Sequence, residues 1–463
     1  MKRLWLVLLI VAGGLLGLLA GSAYWAGLQA EKTYWSSLAA GSTSPQLQLK
    51  GEYWRGWWTS EAFTRINVAA PTPLSFNLNH RIYHGILPIA WWLQPGGSLQ
   101  PVQAVVRTVL APDTSWAYEL VKLYGAQEPV VILSVVAMDG GSGHTITMPP
   151  LQVSAQEAMT SIDFKGLQGR LEVASGGAAL SGEIDLPALQ LASQDEGSLL
   201  LRNLQVTTNQ QRSQFGLLLG NFDLSLAGFQ VKPPADPGKT VELENISIHV
   251  SATPQGDFMD FAEKFSVAKV SVAGDNLGEG YLQLAAHHLN QTGLVKLRDL
   301  SDRLATGRGD SAAALEKLNS LLQDLLQVKP KLGLETRIHT IQGDLDASTE
   351  LVLQDPGPIQ QQVPPLWQRA LAEAKGEVSI AKTLLETVLT AALKNQLRSM
   401  AAENEPGPDE ATLERAARTQ LQQQLAALLK QRYIQLQGNT YKAVGSFQGG
   451  RLVLNGREIP LPP

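Results

Sequence analysis

His80 and His84 lie four residues apart, and on a helix that spacing would turn both imidazoles to one side as metal ligands. The alternation before them, with Gly85 and Pro88 after them, argues instead for a strand. On a strand, residues four apart still share a face, but no nearby Asp or Glu completes a ligand set. His287-His288 would fall on opposite faces of a strand. Asp344 and Asp346 share a face if their segment is extended, and they could hold a cation or flank a substrate, although two carboxylates in a solvated turn are far commoner. Gly140-Gly141-Ser142-Gly143-His144 imitates a serine nucleophile, yet its spacing is wrong and no strand-to-helix turn surrounds it. It reads as a flexible loop. Phosphate-binding glycine loops and zinc-protease helices are missing, and the absence of cysteine removes disulfides, thiolate catalysis and Cys-ligated zinc. The sequence therefore assigns no catalytic residue, no metal ligand and no cofactor.

Net charge is −5 and 17% of residues are charged, below the ~25% of typical soluble domains. No basic run interleaves with aromatics, which argues against nucleic acid as a partner. The aromatic cluster is the sharper feature. Trp54, Trp57 and Trp58 follow one another closely, and Trp91-Trp92 come shortly after His84. Such rings could sit at a membrane interface, line an apolar groove, or pack a first sheet onto its neighbours.

These residues must be positioned by elements that the pattern outlines. After Lys2-Arg3 an apolar run extends from Leu4 to about Leu28, with no charge until Glu31, close to the ~20 residues a membrane-spanning helix needs. The two basic residues predict a cytoplasmic N-terminus, and Tyr24 and Trp25 suit the opposite interface. A cleaved signal peptide, with Gly21-Ser22-Ala23 near the cleavage site, is the alternative. Either way the rest of the chain is expected outside the cytoplasm. Beyond the anchor, Gln46–Leu49, Leu74–Leu78 and Phe222–Leu226 alternate at period two, the mark of antiparallel strands. An apolar triplet with steps of three and two recurs as Leu186/Leu189/Leu191, Leu201/Leu204/Val206, Leu226/Phe229/Val231, Leu243/Ile246/Ile248 and Val267/Val270/Val272. Alternate copies lie roughly forty residues apart, which suggests one hairpin per repeat, and the three-residue step implies a bulge. Leu315/Leu318/Leu322/Leu325, Leu385/Leu389/Leu393 and Leu421/Leu425/Leu428/Leu429 predict amphipathic helices.

The expected fold is α+β: an N-terminal transmembrane helix (1–30), a large, mainly antiparallel, curved sheet of successive hairpins (31–289), and a C-terminal region mixing strands with amphipathic helices (290–463). Arg55-Gly56 reads as a tight turn, with Ser60 opening the alternation that ends at Ile66 and Val68. Asn455-Gly456 is a type I′ hairpin signal.

Three blocks carry a family resemblance: Tyr53-Trp54-Arg55-Gly56-Trp57-Trp58-Thr59-Ser60, His84-Gly85, and Gly449–Pro460 with its Asn455-Gly456. Together with the anchor and chain length they resemble the YdgA-like family of bacterial envelope proteins, whose biochemical role is not established. In that pattern a proline directly follows the His-Gly pair, whereas here Ile86-Leu87 intervene before Pro88. The resemblance implies a single-pass inner-membrane protein facing the periplasm and no catalytic residues. The expected function is non-enzymatic: binding of a protein partner, a second copy or an apolar ligand such as lipid, in envelope assembly or maintenance. The alternative is a hydrolase of an envelope polymer working through paired carboxylates.

Overall fold

The computed structural model describes residues 21–39, 47–69, 73–154, 160–193, 195–234, 236–305, 311–357, 365–401 and 409–461. They fall into two compact units. The first holds residues 1–227, 233–235 and 298–314, and the second holds 228–232, 236–297 and 315–463.

The first unit opens with helix α1, residues 21–39. Strands β1 (Leu47–Trp54), β2 (Thr59–Val68) and β3 (Leu74–His84) follow as an antiparallel meander. A helical turn α2 (Ile89–Trp92) leads to β4 (Ala104–Leu110), helix α3 (Ser115–Tyr124), β5 (Val131–Val136) and β6 (Ser142–Met148). Then come β7 (Leu151–Val153), β8 (Thr160–Phe164), β9 (Leu167–Val173), β10 (Ala179–Ser193), β11 (Gly197–Arg212) and β12 (Leu218–Lys232). The ladder runs β1-β2-β3-β4-β5-β6-β9-β10-β11, every pair antiparallel. One edge of β10 pairs with β9 along Leu180–Asp185 and with β8 along Leu189–Ser193. Pro187, which has no N–H to give, stands at that change of partner, and opposite it Asn203 adopts φ +54°. Tyr124 of α3 joins Leu151, Phe164 and Leu186 in one core, and a second core gathers Tyr83, Trp91, Val102 and Val105.

In the second unit, β13 (Val241–Gln255), β14 (Phe258–Val272) and β15 (Asp275–Asn290) are long antiparallel strands. Helices α4 (Gln291–Ala305) and α5 (Ser311–Gln327) follow in sequence. The chain then adds β16 (Lys331–Thr340), β17 (Gly343–Leu353), helix α6 (Leu366–Ala370) and β18 (Leu371–Ala381). It ends with α7 (Lys382–Ala401), α8 (Glu410–Lys430), β19 (Gln435–Gln437), β20 (Thr440–Gln448), β21 (Arg451–Leu454) and β22 (Arg457–Ile459). The order is β13-β14-β15-β16-β17-β18-β20-β21-β22. Asp409 caps α8 by accepting the Thr412 N–H at 2.7 Å. Leu421 and Leu425 of α8 bury with Tyr441 against Leu385, Leu389 and Leu393 of α7.

A mainly antiparallel β fold with amphipathic helices late in the chain agrees with expectation. Residues 1–20, which carry most of the apolar run, lie outside the described residues. Among those described, no helix is long and apolar enough to cross a membrane. Helix α1 continues past Glu31 to residue 39, because Ala30 and Tyr34 find apolar partners in Ala62 and Ile82. Gly140–Gly143 is a correction: only Gly140-Gly141 turn, and Ser142 already pairs with Val136 and Val173 in a strand. Strand β18 carries too few large apolar residues to be seen in advance, whereas helix α3, with Ala117, Leu120, Val121 and Tyr124 at helical spacing, was legible and not anticipated. Each apolar triplet occupies one strand, from β10 to β14. Asn203 and Asn245, both at positive φ, immediately precede the second apolar residue of their triplets, and β14 shifts register between Val267 and Val270.

Candidate functional site

The YWRGWWTS block and His84-Gly85 converge on α1. Register sets Ser60 of β2 directly beside Ile82 of β3, so His84 closes over the Arg55-Gly56 turn. The His84 N–H donates to the Trp58 carbonyl at 3.3 Å. Its imidazole is 1% exposed and Ser60 is 2% exposed. Nδ1 lies 2.9 Å from the Ala23 carbonyl, which can only accept, so Nδ1 carries the proton and Nε2 accepts the Ser60 hydroxyl at 3.0 Å. Close approach of the helix requires glycine on both sides. A Cβ on Gly27 would stand 2.8 Å from His84 Cε1, and one on Gly51 would stand 2.1 Å from the Tyr34 hydroxyl. Gly85, at φ +132°, abuts Ala23. One turn further along α1 Glu31 pairs with Arg55 at 3.2 Å, and a turn beyond that Tyr34 donates to the Phe63 carbonyl at 2.7 Å.

A serine hydroxyl on a histidine whose other nitrogen is fixed has the outline of a nucleophilic dyad. Here a backbone carbonyl stands where an acid would be, and neither side chain is reachable. Burial holds the His84 pKa below the usual histidine value against the raising effect of the Ala23 carbonyl. The pair is a clamp that bolts α1 to the first hairpin. His80 shares the strand but not the site. It bridges Thr64 and Thr108 on the flanking strands, 2.8 Å each way, and burial pushes its pKa down to about 4. His144 likewise bridges Ser134 and Ser142 at 2.7 and 2.9 Å. Among the described residues no group of three His, Asp or Glu could hold a metal ion. Asp344 and Asp346 face His339 and Arg337 across the β16–β17 ladder and bond to them. His287 pairs with Asp260, while His288 turns to φ +62° and stacks on Phe258 at 3.9 Å, so these two do not simply alternate.

The sheet of the second unit has one apolar face. Cross-strand rows read Gly280–Ile338–Leu345–Ile380–Tyr441, Leu282–Thr336–Ala347–Val378–Ala443, and Leu284–Leu334–Thr349–Gly376–Gly445–Leu454. A fourth row is Ala286–Leu332–Leu351–Ala374–Phe447. None of these positions is charged. Helices α7 and α8 cover the Ile380–Tyr441 end, and Trp367 of α6 lies 6.2 Å from Phe447. Among the described residues of this unit, no helix covers the middle rows in this way. Phe265, Leu282, Leu284, Leu334 and Ile338 are 38–42% exposed. An apolar cleft of about 170 Å³ lies over Gly376 and Gly445, walled by Trp367 and Phe447. The opposite face is polar, with a trough of about 720 Å³ that includes Lys331, Glu335, Glu350, Glu373, Lys375 and Glu377.

In the C-terminal block, Asn455 and Gly456 form the expected turn at φ +50° and +76°. Asn455 does more than turn. Its Oδ1 accepts from Val444 N–H at 2.9 Å, and its Nδ2 donates to the Arg432 and Tyr433 carbonyls at 3.0 Å, joining the end of α8 to β20. Trp91 is buried on Tyr83, whereas Trp92 is exposed. The model of one bacterial protein family of unknown function, DUF945, matches residues 1–462. No curated protein and no solved structure matches the chain.

Proposed function

This chain belongs to DUF945, a family of bacterial proteins of unknown function, and we propose that it is a non-enzymatic, membrane-anchored periplasmic protein that holds an apolar chain on the open face of its second unit. Within the family, the motif blocks favour kinship with the YdgA-like envelope proteins, and the run from Leu4 favours insertion in the inner membrane. The observation that carries the reading is the uncharged middle of the sheet, where leucines and glycines face solvent between two covered flanks. The row from Leu284 to Leu454 crosses six strands. At ~4.8 Å per strand that is ~24 Å of apolar floor. One leaflet of a ~30 Å hydrocarbon core is ~15 Å deep, so an extended acyl chain fits along it. Burying an acyl chain there removes water from both surfaces, at roughly 25 cal/mol per Å².

Titrating the purified full chain with an environment-sensitive fluorescent fatty acid tests the reading. Saturable binding that is lost in Leu334→Asp and retained in Glu335→Ala is expected, because neighbouring strand residues point to opposite faces. Equal binding by both variants would refute it.

The polar trough sustains one second reading. Glu350 stands diagonal to both Glu373 and Glu377, within the ~10 Å that suits paired-carboxylate hydrolysis. Lys375, directly opposite Glu350, supplies the counter-charge of a solvated face, which ranks this reading second. Release of soluble fragments from purified envelope polymer, abolished in Glu350→Gln, would promote it.

A further inference from the structure

Large side chains are left exposed around the point where residue 21 enters the first unit. Tyr24 and Trp25 of α1, Trp57 and Trp58 of the β1–β2 turn, and Trp92 and Leu93 at the end of α2 are 37–70% exposed. Tyr24 touches Trp57 and lies under Arg55, and the other side chains stand on the same helix, the same turn and the short helix that follows His84-Gly85; together they are called the collar. Tyr24 lies 5.5 Å from Trp57 ring to ring, the Trp58 carbonyl accepts from His84, and the neighbouring Gly85 abuts Ala23. Arg55 stands within it, 5.4 Å over the Tyr24 ring. The clamp described above fixes α1 against β2 and β3, the strands that carry the Trp57-Trp58 turn and lead into α2. The chain preceding them, Leu4 to Ala20, is uncharged, and it ends where the collar begins.

We infer that this collar is a lipid-docking surface, seated in the interface of the leaflet from which the anchor emerges and fixing the orientation of the first unit on the bilayer. Tryptophan and tyrosine suit that depth, being apolar in body and polar at one edge. A flexible tether would need no collar and no clamp. The inference depends on the anchor but not on the apolar ligand of the second unit.

The chain has no cysteine, so single cysteines can be placed cleanly. Trp57→Cys, Trp92→Cys and Trp116→Cys each carry an environment-sensitive fluorophore in the full chain, reconstituted in phosphatidylethanolamine–phosphatidylglycerol vesicles with spin-labelled lipid. Trp116 is the control, since it donates to the Ser75 carbonyl at the far end of β3 from His84. Nine residues of strand put it ~30 Å away. Labels at 57 and 92 should lose most of their emission to the lipid quencher, and the label at 116 little. Unquenched labels at 57 and 92, or equal quenching at all three, would overturn the inference. So would shielding that depends on protein concentration, the sign of a second copy on the collar. Without any labelling, headgroup-proximal brominated lipid should quench native tryptophan emission, and less so in Trp57→Tyr/Trp92→Tyr; unchanged quenching would likewise overturn the inference. Alkaline carbonate separates the two failures: a chain stripped from vesicles has lost the anchor and the collar with it, whereas a retained chain with unquenched labels has lost the collar alone.

Discussion

Substituting His84 by phenylalanine keeps roughly its volume while leaving the Ala23 carbonyl and the Ser60 hydroxyl without their imidazole partner in a dry site. A buried polar group stranded in this way costs about 1–3 kcal/mol. Gly27→Ala attacks the same contact from the helix side by overpacking, also at about 1–3 kcal/mol. Both should lower the urea midpoint and expose α1 to protease; an unchanged midpoint in both would contradict the clamp. The neighbouring histidine makes stability depend on pH. In the unfolded chain His80 titrates near ~6.5, and in the fold burial brings it to about 4. As pH falls below ~6.5 the unfolded state takes the proton first, so the stability present at neutral pH drains away between ~6.5 and about 4. Burial lowers His84 and His144 as well, and both act in the same direction. Unfolding free energy should drop by up to about 3 kcal/mol through His80 alone. His80→Asn should flatten that slope, and an unaltered pH profile would contradict the assignment. That His84 serves a helix sixty-one residues away had no local trace in the sequence: strand context and the lack of a nearby acid argued against a metal pair with His80, but nothing in the spacing pointed to Ala23.

Among elements, the final hairpin separates two roles of one turn. Gly456→Ala strains a left-handed position and should cost ~1 kcal/mol, felt mainly in β21 and β22. Asn455→Ala removes three hydrogen bonds that tie α8 to β20, about 2–4 kcal/mol at ~1 kcal/mol each. Hydrogen exchange should therefore show β20 and the end of α8 opening in Asn455→Ala and not in Gly456→Ala. Equal and local effects would reduce Asn455 to a turn residue. The turn itself was legible, since Asn-Gly between apolar runs announces positive φ twice. So were α7 and α8, whose leucines recur at helical spacing and do meet in one core. Strand β18 was not, because Leu371–Ala381 is built from Ala, Glu, Gly and Lys with few large apolar residues. It pairs because β17 and β20 offer complementary edges on both sides, a tertiary cause that no short window contains.

Across the second unit, Leu282, Leu284, Leu332 and Leu334 stand at period two, a spacing that puts them on one face of their strands. What it could not tell is that, among the described residues of this unit, no helix covers them. A leucine destined for a core and one left open to a ligand look alike in sequence; only the placement of α6, α7 and α8 to the flanks distinguishes Leu284 and Leu334 from Ile380 and Tyr441. An open apolar face of this kind costs solubility unless something occupies it, and that occupant is the substance of the proposed function. The direct measurement is photo-crosslinking in living cells with benzoylphenylalanine placed at Leu334, and separately at Glu335 on the opposite face. An acyl-lipid adduct, identified by mass spectrometry, is expected at 334 and absent at 335. A protein adduct at 334, or the same lipid adduct at both positions, would contradict the account.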